Sequence, residues 1–128
     1  GTAGTLMGIA KSFKDKGFDS KIIALEPSSS PILSKGIKGA HNVEGVGLGF
    51  IPAIYNSKYV DDVFAIEESL ARQTCKQLAS KEGIFCGTSS GMNVAGAIKL
   101  SKSLGPKSRV VAIACDTGLK YLSEGLFY

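Results

Sequence analysis

The 128-residue chain is 44% hydrophobic and 20% charged, which suits one globular domain with a real core; no apolar run approaches the length of a membrane span, and no signal peptide is visible in it. Fifteen basic against eleven acidic residues give a net charge of +4, but the lysines are scattered without a basic block, so nucleic acid is not an expected partner and only a mild pull on small anions remains. Three cysteines, Cys75, Cys86 and Cys115, beside the single His41 form no CxxC or zinc pattern; they read as buried thiols of a cytoplasmic protein without a metal site.

The chain opens on GTAGT with no initiator methionine, which reads as processing or as a piece of something longer. Gly1, Thr2, Ala3, Gly4 and Thr5 are small or hydroxylated and run straight into a helix expected over 6–17. In it Leu6, Ile9, Ala10 and Phe13 recur at helical spacing, and Gly17 supplies the stop. A helix start presents free N–H groups and a positive dipole end, so the opening is either an ordinary cap or an anion site suited to phosphate. KIIALEP then predicts a buried parallel strand over 21–26. Ser30 before Pro31 predicts an N-cap and a short helix over 31–36. GIKGAHNVEGVGLGFIP, between Gly36 and Pro52, is punctuated by glycines and reads as a shaped loop.

DVFAI at 62–66 predicts a second strand. A helix follows, with Glu67 and Glu68 in its first turn, an apolar stripe of Leu70, Ala71, Thr74, Cys75, Leu78 and Ala79, and Gly83 at its end. A short strand at 84–86 meets the turn Gly87–Gly91 and a helix over 90–103 rich in alanine and glycine. After Gly105-Pro106, RVVAIA at 109–114 predicts a buried strand that ends in the turn CDTG. The alternation implies an α/β layered sandwich with a mainly parallel sheet, its four strands together and helices on both faces. Neither linker nor repeat divides the chain, so one domain is expected.

Ligands in such sheets bind beyond the carboxyl ends of the strands. The turns Gly87–Gly91 and Cys115–Gly118 follow strands, and Gly1–Thr5 would be a third if a strand preceded it; all three are expected to face one crevice. A nicotinamide cofactor is disfavoured, because GVGLGF lacks the flanking strand and helix and GTAGTLMG has the wrong glycine spacing.

Taken together, these stretches resemble the cysteine synthase (O-acetylserine sulfhydrylase) and cystathionine β-synthase family of fold-type-II pyridoxal-phosphate enzymes. GTAGT resembles the family's G-T-G-G-T loop, and EP with GAHNVEGVGLGFIP resembles its E-P…G-x-H-x-I-x-G-I-G-x-G-F-I-P segment. GTSSGMNVAGAIKL and DTGLKYLSEGLF resemble its G-x-S-S-G helix start and its closing D-S-G-E-R-Y-L-S. The motifs stand in order over essentially the whole chain. The resemblance implies a tryptophan synthase β-like fold, with residues 1–128 as the C-terminal part of the larger, cofactor-binding domain.

It further implies pyridoxal 5′-phosphate as cofactor, held at its phosphate by Gly1, Thr2, Ala3, Gly4 and Thr5. Ser89 would face the pyridine nitrogen, with the start of the helix as its purely structural role. Gly45, Val46 and Gly47 would line the substrate side, and Asp116 and Thr117 would close the pocket near the ring. His41 takes a structural role. The family's Schiff-base lysine is expected upstream; Lys35 stands in a different context, so no catalytic residue is assigned in this segment, and the segment alone is expected to be inactive. Ala3 replaces a family glycine, and Thr117, Leu119 and Lys120 replace Ser, Glu and Arg.

The implied activity of the intact parent is β-replacement, forming L-cysteine from O-acetylserine or a similar activated serine and sulfide, in a cytoplasmic homodimer. Rival readings are cystathionine synthesis, a serine/threonine dehydratase-like elimination, and a non-catalytic ligand-binding module.

Overall fold

Helix α1 spans Gly4–Asp15, two residues earlier than the apolar spacing alone indicates. It buries Met7 and Ala10, and Gly17 follows in the left-handed region at φ +71°, where a residue without a β-carbon ends a helix at no steric cost. This is a computed structural model, which describes residues 1–128. The chain divides into two compact units, Gly1–His41 with Gly45–Ala65, and Asn42–Glu44 with Ile66–Tyr128.

In the first unit α1 leads to strand β1 (Ile23–Pro27), helix α2 (Ile32–Lys35), a 3-10 turn at Ser57–Tyr59 and strand β2 (Asp62–Ile66), whose last residue lies in the second unit. β1 and β2 form a two-stranded sheet. The Asp61 amide donates to the Ile22 carbonyl at 2.8 Å. Both strands run forward from that bond, so the pair is parallel, as its apolar runs imply. The Asp61 carboxylate accepts from the Ile22 amide at 2.8 Å. That bond, with the Lys21 ammonium beside it, holds the carboxyl below the usual range.

The capping of α2 departs from expectation. Ser30 does not cap it: its hydroxyl accepts from the Gly39 amide at 3.2 Å. The buried Glu26 carboxylate takes the role, accepting from the Leu33 amide at 2.7 Å, the Ser34 amide at 3.1 Å and the Ser34 hydroxyl. A charge reaching from a neighbouring strand outcompetes a local hydroxyl because it satisfies several orphan donors at once.

The second unit is built on helices α3 (Glu68–Glu82) and α4 (Thr88–Leu104). α3 begins after Glu67 and stops at Gly83, at φ +67°. Its buried face is Ala71, Thr74 and Cys75, while Leu70 is 45% exposed. A β-carbon on Gly91 would collide with the Ala71 carbonyl oxygen and crowd the Cys75 sulfur, so this glycine is what lets the two helix backbones approach. Cys75, Cys86, Tyr121 and Leu126 form the core, with Leu78 and Phe127 packed against it. The three cysteines are free; Cys75 and Cys86 are buried, but Cys115 is exposed, against expectation.

Two expected strands are absent from the sheet. Residues 84–86 make only an isolated antiparallel bridge, Cys86 to Thr117, flanked by the Gly118 amide to the Phe85 carbonyl at 3.1 Å and the Gly87 amide to the Asp116 carbonyl at 3.4 Å. Residues 109–114 pair with nothing as a strand, and Val111 is 80% exposed. An apolar run reports a demand for burial, whereas a strand needs a neighbour to share its ladder. No segment of these 128 residues pairs with 109–114.

Candidate functional site

In the first unit the opening GTAGT forms the approach to α1. Ala3, at its N-cap, has φ +66° and is the only non-glycine residue with positive φ. An alanine held there is strained, which is why glycine is the residue expected at this place. Thr2 turns its hydroxyl to the Gly4 amide at 3.4 Å, and the Ala3 carbonyl accepts from Met7 at 2.9 Å. No side chain caps α1 and no acidic residue stands in its first turn. Apart from the Gly4 amide, its first-turn amides are thus open to an external anion, with no acidic residue in that turn to repel one.

The segment Gly45, Val46, Gly47 lies against this opening. A β-carbon on Gly1 would collide with the Gly45 carbonyl, so the two loops meet backbone to backbone. Gly45, Gly47 and Gly49 all adopt positive φ, at +74°, +58° and +81°, a path open mainly to glycine. His41 fastens the loop, with Nε2 2.8 Å from the Gly47 carbonyl oxygen. A carbonyl can only accept, so Nε2 carries the hydrogen; the bond is local and structural, as expected of this residue. Lys35 ends α2 on the exposed surface.

The second unit gathers Gly87–Gly91 and Cys115–Tyr121. Ser89, in the first turn of α4, is 6% exposed, and its hydroxyl takes no partner from the protein. The fully buried Ser90 does the structural work instead: its oxygen accepts from the Cys115 amide at 2.8 Å. Asn93 adds a bond from Nδ2 to the Ile113 carbonyl at 2.9 Å. The two turns expected to share an edge are thus tied by side chains of α4. Thr117 accepts from the Leu119 amide at 3.3 Å and starts the 3-10 helix Gly118–Glu124.

Asp116 sits behind this start. Its Oδ2 accepts from the Tyr121 hydroxyl at 2.7 Å and lies 3.7 Å from the Lys120 ammonium, while Oδ1 is buried without a partner. Burial, followed by the bond to Asp116, pushes the Tyr121 phenol up, so it stays protonated as the donor. The Cys75 thiol is pushed up to about 11, chiefly by burial, and donates to the Gly87 carbonyl at 3.0 Å; it is a prop of the turn and not a nucleophile. The roles of Ser90 and Asn93 escaped the sequence reading, as did the bond Cys75 makes to the Gly87 carbonyl and the one Tyr121 makes to Asp116, because hydrogen bonds to groups outside a helical repeat leave no periodic signal.

A family model described as pyridoxal-phosphate dependent enzyme matches residues 1–116. The chain belongs to this family. Among relatives of this pyridoxal-phosphate dependent enzyme chain, cysteine synthase B of Campylobacter jejuni is 42% identical over 127 residues, 99% of this chain and 42% of that protein. The crystal structure of cysteine synthase (OASS) from Entamoeba histolytica matches with a TM-score of 0.92 at 36% identity, covering 99% of this chain and 38% of that one. The O-acetylserine dependent cystathionine beta-synthase of Helicobacter pylori matches with a TM-score of 0.90 at 32% identity, covering 100% of this chain and 42% of that one. The chain therefore spans 38% to 42% of the length of these relatives. Its fold is that of the fold-type-II pyridoxal-phosphate enzymes, of mixed helix and parallel sheet, and no helix is long and apolar enough to cross a membrane.

The residues present fit the family's cofactor. The uncapped first turn of α1 suits a phosphate dianion, and the unpartnered Ser89 hydroxyl and Asp116 Oδ1 are polar groups in want of a ligand.

Proposed function

We propose that this chain is the C-terminal part of the larger, cofactor-binding domain of an enzyme that makes L-cysteine. The reaction replaces the acetate of O-acetylserine, or the leaving group of a similar activated serine, with sulfide. The observation that carries this reading is 42% identity to a cysteine synthase across 99% of the chain. Pyridoxal phosphate, when bound, supplies the electron-withdrawing ring that lets an amino acid lose its β substituent and accept a nucleophile.

This chain's residues bind and orient. Gly1, Thr2, Ala3, Gly4 and Thr5 hold the phosphate with backbone N–H groups, threonine hydroxyls and the positive end of α1. Ser89 meets the pyridine nitrogen with a neutral hydroxyl, which bonds it without fixing a proton there as an aspartate would. Gly45, Val46 and Gly47 line the substrate side, where left-handed glycines permit closure. Asp116 and Thr117 wall the ring-nitrogen side. The intact enzyme is a homodimer by family resemblance, and the buried free thiols Cys75 and Cys86 support a reducing, cytoplasmic setting.

The test uses the intact protein with O-acetylserine and sulfide, following cysteine and acetate. Both should form, and Thr5→Ala should weaken cofactor retention while Ser89→Ala retains cofactor and slows turnover. Exclusive use of homocysteine would instead select the cystathionine-forming reading, which the Helicobacter pylori relative favours. No turnover with any β-substituted alanine would leave a binding module.

A further inference from the structure

The Gly45–Gly49 loop is held at one end and open at the other. Gly45 is exposed, and a β-carbon there would meet open space. Gly47, at φ +58°, lies between two rings: a β-carbon would collide with His41 Nε2 and crowd Pro27. Gly49 is hemmed in by the Lys38 stem in the same way. Lys38 and His41 both belong to the limb that precedes the loop, and that limb is itself clamped to the turn after β1. The Ser29 hydroxyl donates to the Ala40 carbonyl at 2.8 Å, and the Gly39 amide donates to the buried Ser30 hydroxyl oxygen at 3.2 Å. A β-carbon on Gly39 would collide with the Ser29 carbonyl oxygen, so limb and turn meet backbone to backbone. From this clamped limb the His41 ring reaches across the loop to the Gly47 carbonyl, with Nε2 at 2.8 Å. All of these residues lie in the first unit.

We infer that His41 is a positioning residue for the amino-acid substrate: it anchors Gly47, so that Gly45 and Val46 keep one place beside the GTAGT opening and move only about that anchor. The hydrogen bond is structural in itself, and its consequence lies in what it holds. A run with three left-handed glycines has many backbone paths open to it. Without the tie, those paths compete with the one that fits a substrate, and binding carries the cost of ordering the loop. Ser29 and Ser30 act one step further back, by fixing the limb from which the ring reaches. The tie ends on the Gly47 carbonyl and not on GTAGT, so it acts on the substrate side and leaves the hold on the phosphate alone. What the carbonyl requires is a donor at the place of Nε2, not an imidazole as such.

This inference rests on the proposed reaction and deepens its substrate side. The experiment uses the intact enzyme as wild type, His41→Asn, His41→Gln and Ser30→Ala. Glutamine carries an amide N–H to the reach of Nε2, whereas asparagine, one methylene shorter, stops short of the Gly47 carbonyl. Kinetics with O-acetylserine at saturating sulfide give KM and kcat per bound cofactor, and equilibrium titration of each apoenzyme gives its affinity for pyridoxal phosphate. In His41→Asn the KM for O-acetylserine should rise about fivefold, the scale of one hydrogen bond lost, with kcat and cofactor affinity unchanged. His41→Gln should bring KM back to the wild-type value. Ser30→Ala, which loosens the limb behind His41, should raise KM in the same direction by less. A purely structural His41 would lower thermal stability or cofactor affinity and leave the KM of the folded holoenzyme unchanged, and that result overturns the inference. So does a raised KM that His41→Gln fails to restore, because the effect then belongs to the imidazole and not to the tie. Should the His41 variants fail to fold, Ser30→Ala decides: a raised KM with wild-type cofactor affinity upholds the inference, and an unchanged KM overturns it. A wild type that binds pyridoxal phosphate but does not turn over O-acetylserine refutes the proposed reaction and the inference with it, an outcome distinct from an active wild type whose variants keep its KM.

Discussion

The glycine loops of the first unit and the start of α4 in the second use the same small residues for reasons that only partly overlap. At Gly1–Thr5 and Gly45–Gly49 the loops are largely exposed, three of the glycines take left-handed backbone, and His41 fastens the Gly45–Gly49 turn at the Gly47 carbonyl. At Gly87–Gly91 the chain is buried, neither glycine has positive φ, and each is bare because a neighbour occupies the place of its β-carbon. The second set needs glycine for space alone; the first needs it for conformation at Gly45, Gly47 and Gly49, and for space as well at Gly1 and Gly47. A glycine-rich motif therefore says that a side chain is unwelcome but not why, and the two causes respond differently to substitution.

The sharpest way to break this comparison is to add one methyl group to each region. Gly91→Ala forces the α3 backbone away from α4 and should cost about 3 kcal/mol, or prevent accumulation of folded protein, by the usual scale of overpacking against backbone. Gly45→Ala meets open space and has only its φ of +74° to resist it, so about 1 kcal/mol is expected. Urea denaturation of the intact protein reads both; equal losses would erase the distinction. Ala3→Gly reverses the argument in the exposed loop. Releasing an alanine from φ +66° should stabilise by up to about 1 kcal/mol, less the entropy that glycine returns to the unfolded chain. A clear destabilisation would show that the Ala3 methyl does something useful.

The smallest expected effect lies in acid. The Glu68 carboxylate accepts from the Asn42 amide at 2.8 Å and the Arg72 guanidinium at 3.0 Å, and these bonds, the Asn42 one foremost, hold its pKa below the ordinary value against the opposing pull of burial. A depressed carboxyl contributes stability that is full above its unfolded pKa and lost as pH falls through its folded one. Thermal midpoints of Glu68→Gln should therefore lie slightly below wild type at neutral pH and converge with it in acid. A constant gap across the range would mean that the charge is not what matters there.

Much of the chain was legible as sequence. α1 and α3 follow from apolar spacing with Gly17 and Gly83 as stops, α4 from its alanine- and glycine-rich run ending at Gly105, and β1 and β2 from continuous apolar runs. Each of these depends on interactions within a few residues or on the demand of one segment for burial. The candidate site was legible only as motifs. GTAGT, GVG and GTSSG mark where backbone must pass closely, but Ser90, Asn93 and Tyr121 carry bonds across 25, 20 and 5 residues that no period announces.

By itself the sequence determined which stretches are helical, the parallel pair and the family, because periodicity, stop residues and ordered motifs are local properties of the chain. Only the tertiary structure decided that 109–114 goes unpaired here and that 84–86 makes an antiparallel bridge. It likewise decided that Glu26 and not Ser30 serves α2, and that one oxygen of Asp116 is held while the other is left open. The reason is common to all four: pairing, capping and satisfaction of a buried polar atom each require a second group, and which group arrives depends on where the fold brings distant residues together.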